Sequence, residues 1–222
     1  MVVTVLSKKR RLFIIGASSF GREVEGWLER VPPASRDWAI VGYLDDNPDA
    51  RGVTDFPSDY PLLGTIDNTE FFNGDLCVIA IAEPKHKRSV VERLEGRIGF
   101  LTFISPDAII GKFNAVGEGA VICPGAIITT NVMIGKFVTI NNGCNVGHDV
   151  LVGDYSSLMG SVTLSGAVEL GEDVYVGSKA TITPSVKIAK GSKVGAGSVV
   201  IRSVRKPSVV FGNPAKIIKS IS

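Results

Sequence analysis

Apolar residues in the second half of the chain recur with a period that belongs neither to an α-helix nor to an ordinary strand. Divided into sixes, residues 108–203 read AIIGKF, NAVGEG, AVICPG, AIITTN and onward through VYVGSK to SVVIRS without interruption. The third place is Ile, Val or Leu in all sixteen blocks, the first is small or Val in every block except the one led by Asn114, and the fourth is Gly in eight. Places one and three lie two apart, so in a short strand they share a face. Gly at place four is then expected to permit a bend that a bulkier residue resists. A short strand and a corner, repeated, describe a solenoid whose coils stack about 4.8 Å apart with their aliphatics inside. Burying such a row at roughly 1.5–3 kcal/mol per side chain offsets much of the ordering entropy.

Residues 10–105 carry a different pattern. RRLFIIGA is a buried-strand run, and in SSFGREVEGWLERV the residues Phe20, Val24, Trp27, Leu28 and Val31 follow helical spacing. WAIVGYLDD and DLCVIAIA read as further strands, KHKRSVVERLEGRI as a second helix, and FLTFISP as the lead into the repeat. Strands alternating with helices predict a small parallel α/β domain with ligands at the strand C-termini. The division expected is a Rossmann-like domain over 1–105 and a β-helix with a short tail over 106–222.

Composition changes this picture little. The chain has 222 residues, 25 of them Gly, and few aromatics. No apolar run approaches the ~20 residues of a membrane span, and the opening MVVTVLSKKRRLFIIGA reads as a first strand rather than a signal peptide. Three cysteines, Cys77, Cys123 and Cys144, form no C-x-x-C pair, which suits reduced thiols in the cytoplasm. Cys144 falls at place one and is expected in the core. The net charge of +2 hides an asymmetry, since residues 174–222 hold nine Lys/Arg and no Asp or Glu. Such an end meets a phosphorylated ligand or is a solvated surface. Nucleic acid is disfavoured by the lack of interleaved aromatics.

Candidate chemistry concentrates in INNGCNVGHDVLVGD, residues 140–154. His148 stands at place five, off the inward face, so it is a surface or a catalytic histidine. Imidazoles titrate near pH ~6.5 and can accept a proton near neutrality. Asp149 can orient the ring only if a corner turns the two neighbouring side chains together. Asn141 reads as a corner residue or a substrate contact. An 18-residue coil would stack Gly166 over His148 and align Asn142, Gly160, Ser178 and Ala196 in a neighbouring column. From Gly160 onward that column is small enough for a slender chain, or is simply suited to corners. In the front half, GASSFG at 16–21 is a tight strand-to-helix turn without G-x-G-x-x-G spacing, and Asp45 and Asp46 close the second strand.

The unbroken hexads resemble those of the hexapeptide-repeat acyltransferases. With the front domain, FIIGAS, YLDD, PLLG, the IN…HD…VGD run and GNPAK, the chain resembles bacterial sugar acyltransferases. These include nucleotide-sugar N-acetyltransferases and the sialic acid O-acetyltransferase group. The resemblance implies a left-handed parallel β-helix, a homotrimer, and a cytoplasmic enzyme of polysaccharide biosynthesis. It implies acetyl-CoA as donor, no metal, and a nucleotide-linked amino sugar as acceptor. It assigns His148, Asp149 and Asn141 to catalysis, and Ser157, Gly166, Ser178 and Ala196 to coenzyme A. Ser18, Ser19, Phe20, Asp45, Asp46 and Gly64 are assigned to the nucleotide sugar. Two positions depart from the family pattern: Ser157 stands where histidine is common, and Ser18-Ser19-Phe20-Gly21 replaces a Gly-Gly-His-Gly turn. Sugar O-acetylation and a non-catalytic binding scaffold are the alternatives. A γ-class carbonic anhydrase would need more histidines than His86 and His148, and an NAD oxidoreductase would need the missing glycine pattern.

Overall fold

The computed structural model describes residues 9–50 and 57–221. The front half is a five-stranded parallel sheet in the order β3-β2-β1-β4-β5. Its strands are β1 (Arg10–Ile15), β2 (Trp38–Leu44), β3 (Leu62–Gly64), β4 (Leu76–Ile79) and β5 (Gly99–Phe100), with helices α1 (Ser19–Glu29) and α2 (Pro84–Leu94). Leu12 and Ile14 face α1 with Val24 and Leu28, whereas Phe13 and Ile15 face α2 with Val90, Val91 and Leu94. The alternation along β1 therefore fills both sides of the sheet, as a buried parallel strand requires. Order reverses between β1 and β4, the point at which such sheets open a crevice.

From Phe103–Ile104 to Val199–Val200 the chain forms seventeen two-residue strands. The first of them lies just before the expected start of the repeat domain at 106. Each strand as far as Thr181–Ile182 pairs in parallel with the one 18 residues on, as in Ile127 with Asn145, Met133 with Leu151 and Thr139 with Ser157. Three sheets result. Face 1 runs from Phe103–Ile104 through Thr139–Ile140 and Ser157–Leu158 to the terminal hairpin of Ser208–Gly212 and Ala215–Ser220. Face 2 runs from Ile109–Ile110 to Val199–Val200, and face 3 from Ala115–Val116 to Lys187–Ile188. The place-three aliphatics are buried from Ile122 onward, and Cys144 is buried among them as expected. Ile110 is exposed and Val116 only half-buried, because the first coil has no complete neighbour below it.

One expectation about the corners is corrected. The bend is made at place six, where positive φ recurs every six residues from Phe113 through Asn131, Asp149, Ser161 and Lys179 to Gly197. The place-four glycines are absent from that set and serve a steric purpose. A Cβ at Gly111 would lie 1.8 Å from the Thr129 carbonyl oxygen, and one at Gly153 would lie 2.5 Å from the backbone of Gly171. At Gly111 and Gly153 place four is glycine because the next coil passes too close for a methyl group.

The front domain is docked on face 1. Phe103, Val121 and Cys123 of that face share a core with Leu12, Val24 and Leu28. Phe137 packs edge-on against Phe100 and stacks on Tyr155. Among the described residues, no helix is long and apolar enough to cross a membrane.

Candidate active site

His148 and Asp149 sit on the edge between faces 2 and 3, at the corner after strand Asn145–Val146. The left-handed backbone of Asp149, φ +59°, turns its carboxylate back beside the imidazole, so two adjacent side chains converge. His148 Nδ1 and Asp149 Oδ2 are 2.7 Å apart. The other carboxylate oxygen accepts from Asn131 Nδ2 at 2.6 Å, one coil below. The hydrogen bond from Asn131, reinforced by His148, holds the Asp149 carboxyl below the usual carboxylate range. An ionised carboxylate only accepts, so the shared proton resides on Nδ1, and the neutral form of the ring carries its lone pair on Nε2. The ring lies over Gly166, where a Cβ would stand 2.5 Å from Nε2. The imidazole side chain is 64% exposed, available to a substrate rather than packed in the core. Such a pair can take a proton at Nε2 while the carboxylate stabilises the cation.

The other residues expected at this site are distributed elsewhere. Asn141 lies on the edge between faces 1 and 2, where its side-chain oxygen accepts from Asn142 N at 2.7 Å. The column of Asn142, Gly160, Ser178 and Ala196 runs up the same edge, with its register confirmed by Ser161 N to Asn142 O, Lys179 N to Gly160 O and Gly197 N to Ser178 O. Ser178 and Ala196 are exposed and Gly166 is half-buried. Within one chain, the width of face 2 separates the column from His148. Ser157 departs furthest from its expected place at the acetyl group. It points outward from face 1 but is 0% exposed, because α2 covers it and its hydroxyl receives Lys87 Nζ at 2.9 Å.

Lys87 itself was not singled out by the sequence, where it reads as one of several charges on an amphipathic helix. It is 1% exposed and bridges the two domains, donating also to Thr139 Oγ1 at 2.9 Å. Burial pushes its pKa down to about 7, against the opposing pull of Asp173 and Glu83. Arg88 beside it grips Asp173 and Glu172 and lies 4.0 Å above the Tyr155 ring.

At the C-terminal ends of β1, β2 and β4 opens a cleft of about 560 Å³. Ser18, Phe20, Asp45 and Asp46 line it, together with Asn47, Glu83 and His86. Ser19 and Gly64 are not among its lining residues. Ser19 instead receives Arg22 at 3.4 Å, and the Gly64 carbonyl accepts from Asp45 N. Both aspartates already have structural partners. Asp45 accepts from Ala17 N at 2.8 Å and Asn47 N at 2.9 Å, and Asp46 accepts from Arg93 at 2.5 Å and Ile66 N at 3.2 Å. The Arg93 guanidinium holds Asp46 below the ordinary carboxylate range. The GASSFG turn owes its last glycine to sterics, since a Cβ at Gly21 would meet the Gly16 carbonyl oxygen at 2.0 Å.

Residues 11–94 match the model of the PglD N-terminal domain, and residues 167–202 match the six-repeat bacterial transferase hexapeptide model. The chain thus joins a PglD-type N-terminal domain to bacterial transferase hexapeptide repeats. Among solved structures it is similar to WeeI from Acinetobacter baumannii AYE, at 29% identity and TM-score 0.83, over 95% of this chain and 100% of that one. It shares the fold of the acetyltransferase domain of PglB from Neisseria gonorrhoeae FA1090, at 22% identity and TM-score 0.82, with the same coverage. It also shares the fold of PerB from Caulobacter crescentus, solved with CoA and GDP-perosamine, at 24% identity and TM-score 0.78, over 93% of this chain and 96% of that one. No curated protein sequence matches the chain.

Proposed function

We propose that this acyltransferase moves an acetyl group from acetyl-CoA to the amino group of a nucleotide-linked amino sugar in the cytoplasm. The observation that carries the reading is the oriented base: Nδ1 of His148 is held by Asp149 and Nε2 is left free beside an open edge. The sugar amine attacks the thioester carbonyl carbon directly, and His148 Nε2 takes the proton that the nitrogen loses. Collapse of the tetrahedral intermediate breaks the C–S bond, and the proton passes to the departing thiolate. No enzyme nucleophile is needed, which suits a chain whose three cysteines are all buried. The relatives' bound CoA, acetyl coenzyme A and GDP-perosamine support the choice of donor and acceptor class.

The separation of His148 from the small-residue column supports a homotrimer. Exposed apolar side chains gather on the two faces beside the His148 edge: Ile109 and Ile127 on face 2, Met133 and Leu151 on face 3, and Phe113, 82% exposed, on the edge itself. A contiguous apolar surface of this kind fits a second copy of the chain. Packing there brings the neighbour's column of Ser178 and Ala196 toward His148, and pantetheine then lies in the seam with the basic C-terminal end near the phosphates. In this arrangement Asn141 also reaches the site from the neighbouring edge.

The test is thiol release from acetyl-CoA in the presence of UDP-, GDP- and dTDP-linked 4-amino sugars. At least one acceptor is expected to be acetylated, with the rate reduced about 10²–10⁴-fold in His148→Ala. Absence of release with every amino sugar, or an undiminished rate in the variant, overturns the reading.

A further inference from the structure

We infer that His86, on the first turn of α2, contacts the diphosphate of the nucleotide-linked substrate from the side of the cleft opposite α1. The inference deepens the nucleotide-sugar reading of that cleft and rests on it. Among the described residues three carboxylates line the cavity, and each is already engaged. Asp45 and Asp46 hold the donors described above, and Glu83 accepts from His86 N at 2.9 Å and from Lys193 Nζ at 3.0 Å. For Glu83, burial works to raise the pKa but is outweighed by these two bonds, so the group stays ionised. A diphosphate entering this cavity therefore meets negative charge from the end of β2 and from the α2 cap. It needs a donor or a cation to remain.

Among the described residues, His86 is the single basic side chain that lines the cavity. Its ring makes no hydrogen bond with the described residues, and its charge bears on Asp46. The neighbouring basic groups face elsewhere: Arg93 is bound to Asp46 and Asp67, and Lys87 points away into the β-helix. The α1 side offers only the Ser18 hydroxyl and the Phe20 ring to the cavity. Phe20, Leu44, Ile66 and Ile81 supply apolar surface suited to a base, and outside the three carboxylates Ser18, Asn47 and His86 supply the polar side chains left for the phosphates. A histidine cation there gives a charge-assisted hydrogen bond to phosphate oxygen, and histidine changes its charge between about pH 5 and 8.

Calorimetry with UDP-N-acetylglucosamine, GDP-mannose and dTDP-glucose tests this independently of acetyl transfer. Their diphosphates stay ionised across that range, as do Asp46 and Glu83. For whichever of the three binds, affinity is expected to be higher at about pH 6 than at pH 8. His86→Ala, at an exposed position, is expected to weaken binding about tenfold or more at pH 6 and to remove the pH dependence. His86→Lys is expected to hold the pH 6 affinity at pH 8. Binding of the corresponding nucleoside, which has no phosphate, is expected to be the same in wild type and His86→Ala. Equal, pH-independent affinity of wild type and His86→Ala for the nucleotide sugar overturns the role of His86 while leaving the cleft assignment standing. Failure of the wild type to bind any of the three overturns the nucleotide-sugar reading, and the inference with it.

Discussion

At the scale of single residues, the proposed base depends on an absence. The His148 ring occupies space that any side chain at position 166 would claim, with Nε2 2.5 Å from the site of a Cβ there. Gly166→Ala is therefore expected to push the imidazole off its position and lower kcat about tenfold or more, with little change in Tm, since the ring is exposed and free to swing. Steady-state kinetics beside a thermal melt separates the two effects. Lys87 is the opposite case, a charge whose position depends on complete enclosure. Its pKa is depressed from an ordinary 10.5 to about 7 in the folded protein. Between those values the unfolded chain binds more protons than the native one, so this group's contribution to stability rises with pH across the window and is lost as pH falls through 7. Melting curves from about pH 7 to 10 are expected to show that rise in wild type and a flatter profile in Lys87→Met. Parallel profiles would show that the amine does not titrate as its burial implies.

At the scale of elements, the hexad obeys two separate rules that the letters alone merge. Place six carries the left-handed turn, and place four carries the close approach between coils. The rules predict mutations of opposite sign. Gly153→Ala forces a methyl group to 2.5 Å from the next coil's backbone and is expected to cost about 1–3 kcal/mol. Ser161→Gly, at a place-six residue with φ +60°, relieves the left-handed penalty and is expected to be neutral or stabilising within about 1 kcal/mol. Chemical denaturation of both variants measures the difference. Helix α2 shows how one element serves two domains: His86 and Val90 line the cleft, while Lys87 and Arg88, about 100° and 200° further around the helix, hold the β-helix. The cleft and the prism are thereby fixed to each other through one short helix.

At the scale of the molecule, the proposed base and the small-residue column lie on different edges of one prism, so the site proposed above takes its column from a second copy. Mass measurement in solution is expected to give three subunits. A mixing experiment goes further. His148→Ala and Ser178→Trp are each expected to be inactive alone. Co-refolded in equal amounts, they are expected to recover about a quarter of wild-type activity, because that fraction of seams joins an intact histidine edge to an intact column edge. If every site were built within one chain, mixing would restore nothing.

Much of this was legible in the sequence because periodicity is a local signal. The aliphatic third place foretold a stacked solenoid, and the family resemblance supplied its three-hexad, 18-residue coil. Together they set Cys144 in the core, His148 over Gly166 and the Ser178–Ala196 column in line, since each follows from counting along a regular coil. The adjacency of His148 and Asp149 was likewise visible, though only the left-handed backbone at 149 made it a contact. What the letters could not carry is anything decided by how the two domains meet. Ser157 has the place of an outward-facing residue, and docking of α2 turned it into a buried partner of Lys87. Lys87 has the composition of a solvated helix charge, and the same docking removed its water. Asp45 and Asp46 read as a loop pair or, by resemblance, as ligands; packing gave Asp45 the amides of Ala17 and Asn47, and Asp46 the Arg93 guanidinium and the Ile66 amide. Strand period and corner are fixed by steric and burial rules acting over a few residues. Which polar groups remain free for a substrate depends on contacts between residues tens of positions apart, and only the packed tertiary structure brings those together.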